Sequence, residues 1–177
     1  MKKSLRDLSS GTFVPMLHSL QKILDKASQQ AVDKGIDLAA LPNARLAPDM
    51  FPLTRQVQIA CDSAKNATAR LTGREPPRFE DNEQTLDDLK ARIARTIDYI
   101  QSAPTTAFDG AEERAILFPL IENLVFDSNA FEYLRDWELP HFYFHVVTAY
   151  DILRQQGVEI GKRDYVSHAG THIHPRA

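Results

Sequence analysis

The sequence predicts an all-α protein, an antiparallel four-helix bundle with an irregular insertion between the third and fourth helices. Three segments place apolar residues at intervals of three and four, as one face of an α-helix requires. A fourth apolar segment begins at a proline, a residue favoured in the first helical turn. Because connections of moderate length join these segments, antiparallel packing is the default arrangement. We expect residues 1–177 to form a single domain, since domains typically contain ~100–200 residues.

The first helix is predicted over residues 11–34. Ser9 or Ser10 can cap its start, and Gly35 is a natural stop. Its apolar stripe comprises Phe13, Met16, Leu17, Leu20, Ile23, Leu24, Ala27 and Ala31. His18 lies beside this stripe, where a single histidine is more simply a packing or interface residue than a ligand.

The second helix is predicted over residues 51–71, and Gly73 ends it. Its inner face is built from small residues, so a neighbouring helix can approach closely; they include Ala60, Ala64 and Ala67. The third helix is predicted over residues 86–100, after the capping-box signal of Thr85 and Asp88. Prolines and polar residues between these helices predict loops over residues 35–50 and 74–84.

Residues 105–139 lack a clear helical pattern. The apolar run 115–125 fits two short strands or an irregular lid, and residues 128–137 fit a helical turn. The fourth helix is predicted to start at Pro140 and to stop at Gly157. We expect residues 162–177 to be a solvated tail whose three histidines bind metal only adventitiously; these are His168, His172 and His174.

Charge and composition exclude several classes of function. The 21 basic and 24 acidic residues are interspersed and give a net charge of −3, which disfavours nucleic-acid binding. No stretch approaches the roughly 20 apolar residues that span a bilayer, so no membrane partner is expected. The single cysteine, Cys61, and the absence of a signal-peptide pattern favour a cytoplasmic protein. We expect Cys61 to be a small buried hydrophobe, not a catalytic thiol.

His141 and His145 are the strongest candidates for chemistry. They are four residues apart on the fourth helix, which places both imidazoles on one face. Such a pair is the usual helical half of a divalent-metal site, which also needs at least one ligand from another helix. Alternatively, both are hydrogen-bonded histidines in an aromatic cluster with Phe142, Tyr143 and Phe144.

Three segments together carry a family resemblance. They are HFYFHVVTAYDILRQQGVEIGKRDYV, RLAPDMFPLTRQVQIACDSAKNATARLTG and FEDNEQTLDDLKARIARTIDYI. They resemble the DinB/YfiT-like superfamily, in a branch known only as a domain of unknown function. The resemblance implies a four-helix bundle, often dimeric, commonly with a three-histidine metal site. One ligand of that site comes from the second helix and two from an HxxxH pair on the last. Some relatives in other branches are thiol-dependent transferases or hydrolases.

Carried onto this chain, the HxxxH pair falls on His141 and His145. The second-helix histidine position falls on Gln56, with Asp62 about a turn and a half further along. The implied ligand set for zinc or nickel is therefore the two histidines with Gln56 or Asp62. Because a glutamine carbonyl is a weaker ligand than imidazole for these metals, weak, altered or absent metal binding is expected.

The resemblance further implies a homodimer and a metal-dependent enzyme acting on a small molecule. The alternative is a non-catalytic dimeric bundle that binds a small ligand or has a structural role. The substrate and reaction do not follow from the sequence.

Overall fold

The computed structural model describes residues 4–120 and 123–174, and the chain is mostly helical with one small two-stranded sheet. In chain order the helices are α1 (Leu5–Leu8), α2 (Ser10–Lys34), α3 (Leu53–Thr72), α4 (Leu86–Gln101), α5 (Ala130–Glu132), α6 (Leu139–Gln155) and α7 (Lys162–Tyr165). The four long helices match the four predicted segments, and their ends differ by one or two residues. No helix in the described part of the chain is long and apolar enough to cross a membrane.

The core lies between α2, α3, α4 and α6, with α3 packed against both α4 and α6. The small residues of α3 allow this close packing, since Ala60, Ala64 and Ala67 are fully buried. At the ends of α2 and α3, Gly35 and Gly73 adopt left-handed φ values of 65° and 68°. These are the conformations that favour glycine after a helix, so the predicted stops are confirmed.

A buried arginine fastens the loop between α3 and α4. Arg92 of α4 is fully buried and donates to the backbone oxygen of Glu80 at 3.1 Å. It also forms ion pairs of 3.0 Å with the carboxylates of Asp62, Asp81 and Glu83. Because a buried cation requires paired acceptors, these contacts hold the loop against α3 and α4.

The prediction of an all-α fold needs one amendment, a hairpin between α4 and α6. Strands β1 (Ala115–Pro119) and β2 (Val125–Asn129) pair antiparallel, with Leu117 opposite Asp127. The two-strand interpretation of residues 115–125 was therefore correct in kind, but the second strand runs four residues further. Two 3₁₀ turns precede the hairpin, Thr105–Phe108 and Ala111–Glu113.

A π-helical turn, Tyr133–Glu138, joins α5 to α6, so the helix continues from residue 130 to 155. Pro140 therefore lies in the first turn of α6, as predicted, but α6 continues a helix that begins at Ala130. A proline within a helix clashes with the carbonyl four residues earlier, here that of Asp136. The wider π turn lies at that point and relieves this conflict, a common cause of such irregularities.

The C-terminal segment packs on α2 at Asp164 and Ser167, whereas residues 172–174 are exposed, so only its end fits the predicted solvated tail. Asp164 forms an ion pair of 2.5 Å with Lys26, and the hydroxyls of Ser167 and Ser19 are 3.0 Å apart. The last three residues of the predicted tail, 175–177, lie outside the described residues.

Candidate functional site

His141 and His145 lie one turn apart on α6, and their ring centroids are 4.8 Å apart. His145 is buried, with 7% of its surface exposed, whereas His141 is half-buried. The spacing that predicted adjacent imidazoles is thus realised, and the pair lies at the packed interface of α6 with α3.

Gln56 of α3 contacts His145 directly. Its Oε1 lies 2.7 Å from His145 Nδ1, and its Nε2 donates to the backbone oxygen of Phe51 at 3.1 Å. Because Nε2 must donate to a carbonyl, the amide presents its oxygen to the imidazole. The oxygen can only accept, so His145 Nδ1 carries the proton and Nε2 keeps a free lone pair.

Burial keeps both imidazoles neutral. Burial, and then the charges of His141 and Arg55, lower the pKa of His145 to about 4. Burial also lowers the pKa of His141 from its ordinary value. At neutral pH both rings are therefore uncharged, as metal ligation or hydrogen-bond acceptance requires.

The structure does not bring Asp62 to the histidine pair. Its carboxylate forms ion pairs with Lys65 at 2.8 Å and Arg92 at 3.0 Å, on the side of α3 that faces α4. Six residues along an α-helix amount to about 600°, so Asp62 lies roughly 120° around the axis from Gln56. Asp62 was the alternative to Gln56 as the third ligand, and this placement does not support that alternative.

The donor set fits a divalent metal only in part. The two neutral imidazoles suit zinc or nickel, and the hydrogen bond from His145 to a carbonyl resembles that of metal-bound histidines. However, the residues that the structure describes include no group of three or more His, Cys, Asp or Glu side chains positioned to hold a metal ion. Protein sites for catalytic zinc usually supply three ligands, so this site is one strong donor short.

A buried carboxyl on the π turn was not anticipated. Glu138 is almost fully buried and accepts hydrogen bonds from the hydroxyls of Ser63 and Tyr133. Arg70 Nη1 donates to the Tyr133 hydroxyl at 2.9 Å. Burial raises the pKa of Glu138, although its hydrogen bonds and Arg70 partly oppose that shift.

Hydrogen-bonded polar side chains thus form a polar seam between α3 and α6, and its α3 half is visible in the sequence. Gln56, Ser63 and Arg70 recur every seven residues on α3, so they lie along one face of the helix. Their partners on the other side could not be predicted, because only the π turn brings Tyr133 and Glu138, five residues apart, to the same face.

Aromatic rings continue from the hairpin to the histidines. Trp137 meets His141 edge-on at 6.0 Å between centroids and contacts Phe126 at 5.4 Å. The predicted aromatic cluster is realised only in part, because Phe142 instead packs against Phe13 at 4.9 Å. Phe144 does contact His145, at 5.2 Å.

The remaining candidates lie elsewhere. Cys61 is fully buried, as predicted, and burial raises the pKa of its thiol to about 12, which opposes thiolate formation at neutral pH. His18 is exposed on α2, and His172 and His174 are exposed near the C-terminus. His168 Nδ1 lies 3.4 Å from the hydroxyl of Ser19.

Packed long helices with a polar seam at an HxxxH pair define a DinB-like protein. Over residues 5–166 the chain matches the family described as a domain of unknown function (DUF1993), and it belongs to that family. It is also similar to the crystal structure of a DinB family member protein from Shewanella denitrificans, at 42% identity and a TM-score of 0.85. That similarity covers 92% of this chain and 91% of the other. No curated protein matches.

Proposed function

We propose that the chain is a small-molecule-binding DinB-like protein, an antiparallel four-helix bundle with its site at His141 and His145. In this proposal the two imidazoles hold a divalent ion, zinc or nickel, and a small molecule supplies the ligands that the protein lacks. The hydrogen bond of 2.7 Å between Gln56 and His145 carries the proposal, because it leaves the other ring nitrogen of His145 free to coordinate. Gln56 then orients a ligand instead of acting as one.

The proposed reaction class is a metal-dependent transfer or hydrolysis in the cytoplasm. A divalent ion at such a site lowers the pKa of a bound thiol or water and so supplies a nucleophile near neutral pH. In this reaction the role of the protein is to hold two neutral imidazoles in one orientation. The half-buried ring of Trp137 supports an organic ligand there, since it flanks His141 with apolar surface that Phe126 extends.

Calorimetric titration with Zn²⁺ or Ni²⁺ tests the proposal on the untagged full-length chain. The parent for all variants carries His168→Asn, His172→Asn and His174→Asn, which removes C-terminal binding. We expect one equivalent of metal in this parent and none in His141→Ala or His145→Ala, with the circular dichroism of each variant unchanged. His18→Ala, at an exposed histidine, is the matched control and should retain the full equivalent.

Gln56→His is the complementary variant. Its imidazole would lie on the Nδ1 side of His145, away from the free Nε2, and would replace the carbonyl that orients His145, so metal binding should weaken by about tenfold or more. If neither this variant nor the parent takes up metal, the metal-site proposal is wrong.

If no metal is taken up, a second function is favoured. In it the chain is a non-catalytic dimeric bundle that binds a small ligand or has a structural role. One observation supports it: the hydrogen bonds that join His145, Gln56 and Phe51 are complete without a metal. Under this alternative, chelator treatment leaves the melting temperature unchanged, and His145→Ala lowers stability by about 1–3 kcal/mol.

A further inference from the structure

We propose that a cleft at the C-terminal end of α3 binds the phosphate group of a small molecule, independently of the histidine pair. The cleft has a volume of about 540 Å³. Its lining residues are Asn66, Ala69, Arg70, Gly73, Arg74, Glu75 and Pro76.

Three guanidinium groups meet at this end of α3. Arg70 and Arg74 are four residues apart and both line the cleft. Arg114, which immediately precedes β1, reaches the same place, and its Nη1 contacts the backbone oxygen of Arg70 at 3.4 Å. A Cβ on Gly73 would lie only 2.9 Å from that nitrogen. The φ of 68° favours glycine here, and a larger residue would displace the end of the Arg114 side chain.

Neutral groups hold two of these arginines in place. The guanidinium carbon of Arg70 lies 4.0 Å from the ring centroid of Phe118. That of Arg74 lies 4.9 Å from the centroid of Tyr99, and its Nη2 donates to the Ser102 hydroxyl at 3.1 Å. Contact with an aromatic face fixes the orientation of a guanidinium without cancelling its charge. Both side chains are thus positioned with their charges available.

The positive charge of the cleft exceeds the nearby negative charge. Within the described ranges, none of the three arginines forms an ion pair with a carboxylate. The C-terminus of α3 contributes roughly half a negative charge, and exposed Glu75 contributes one more. Glu138 interacts with Arg70 through the Tyr133 hydroxyl and through its charge, but burial raises the pKa of Glu138 and so favours its neutral form. An excess positive charge therefore remains at the cleft.

An unsatisfied donor points to the kind of ligand. Arg74 Nη1 is buried and has no hydrogen-bond partner in residues 4–120 and 123–174. Buried donors are normally paired, and a guanidinium is suited to two parallel bonds with an oxyanion. A carboxylate offers two oxygens to three guanidinium groups, whereas a phosphate offers three or four. The arrangement therefore favours a phosphate or phosphate monoester.

Calorimetric titration of the full-length chain with inorganic phosphate, glycerol phosphate and acetate at low ionic strength tests this inference. We expect saturable binding of both phosphates with a Kd below about 1 mM, and at least tenfold weaker binding of acetate. Arg74→Met, which keeps the contact with Tyr99, and Arg114→Gln should each weaken phosphate binding by about tenfold or more. Arg78→Gln, at an exposed arginine in the neighbouring loop, should leave it unchanged.

Thermal melts establish that each variant is folded. Absence of saturable phosphate binding up to about 10 mM would overturn the inference. So would a loss in Arg78→Gln equal to that in Arg74→Met, because binding would then follow net charge alone. The result is separable from the histidine site, since Arg74→Met and Arg114→Gln leave every candidate metal ligand in place.

Discussion

Glu138 is unusual at the residue scale because a carboxyl is buried between two helices without a direct cation. Its two acceptors are satisfied by Ser63 and Tyr133, and Arg70 influences it through the Tyr133 hydroxyl. Hydrogen bonds stabilise the ionised form, yet burial outweighs them and raises the pKa. The folded protein therefore holds a proton on Glu138 more tightly than the unfolded chain does.

The difference between the pKa of Glu138 in the folded and the unfolded chain predicts a pH dependence of stability. The contribution of Glu138 is fully present below the ordinary pKa of 4.5 and is lost as pH rises through the higher folded pKa. Glu138→Gln cannot ionise and should lack this loss. Urea unfolding from about pH 4 to pH 8 should therefore show the stability of Glu138→Gln rising relative to wild type with pH. Parallel curves for the two proteins would contradict the assignment, and Glu132→Gln, an exposed neighbour, serves as control.

The His145 imidazole predicts a pH dependence of folding stability with the opposite sign. Its pKa of about 4 lies below the ordinary 6.5, so the unfolded chain takes up a proton first as pH falls. Stability of the chelator-treated protein should fall between about pH 6.5 and pH 4, by at most about 3 kcal/mol from this group. His145→Gln should flatten that decline in urea unfolding, whereas His18→Gln, at an exposed position, should not. An unchanged decline in His145→Gln would show that other groups cause it.

At the scale of elements, the loop between α3 and α4 depends on Arg92. Removing this side chain in Arg92→Met leaves buried Glu83 without its cation, and such a loss typically costs about 3–5 kcal/mol. Arg95→Met is the control, because Arg95 is exposed and 3.7 Å from the same carboxylate, and should cost under about 1 kcal/mol. Denaturant unfolding measures both changes. Equal losses of unfolding free energy in the two variants would show that the buried ion pairs of Arg92 stabilise the loop no more than an exposed one.

The long helices could be predicted because burial imposes a period that the sequence displays, and Gly35, Gly73 and Thr85 mark boundaries through local chemistry. The π turn could not, since it depends on how the backbone accommodates Pro140 and leaves no periodic signal. At the site, aligning the chain with the second helix of the family it resembles placed Gln56 opposite His145, and the structure has it there. Asp62 was expected about a turn and a half beyond Gln56, and its ion pair with Arg92 depends on a loop conformation that no local pattern specifies.

At the scale of the whole molecule, the homodimer that the family resemblance implies remains a prediction. The small residues of α3 are buried inside this chain and cannot meet a second copy. A different surface is available on the outer face of α6, where Phe144 is 57% exposed and Tyr143 and Val147 are also exposed. Adjacent exposed apolar side chains on one helix face favour association.

We therefore predict a dimer through the outer face of α6. Light scattering should give twice the chain mass at high micromolar concentration, and the double variant Phe144→Ser and Val147→Ser should shift it to a monomer. Val32→Ser is the matched control, because Val32 is 88% exposed on α2, away from this face. A monomeric wild type would exclude the dimer, and a dimeric double variant would exclude this surface.

The π turn at Tyr133–Glu138 has a consequence for how the chain tolerates changes in length. An α-helix rotates about 100° per residue, so an inserted residue normally turns every side chain beyond it away from its partner. A π turn takes up the extra residue within one wider loop of backbone, and the flanking turns keep their alignment. Deleting Asp136 should therefore leave His141 and His145 facing Gln56 and keep Tyr133, then four positions from Glu138, on the same face as that carboxyl. The π turn is therefore the place in the last helix where a change of one residue in length leaves the histidine pair in register with α3.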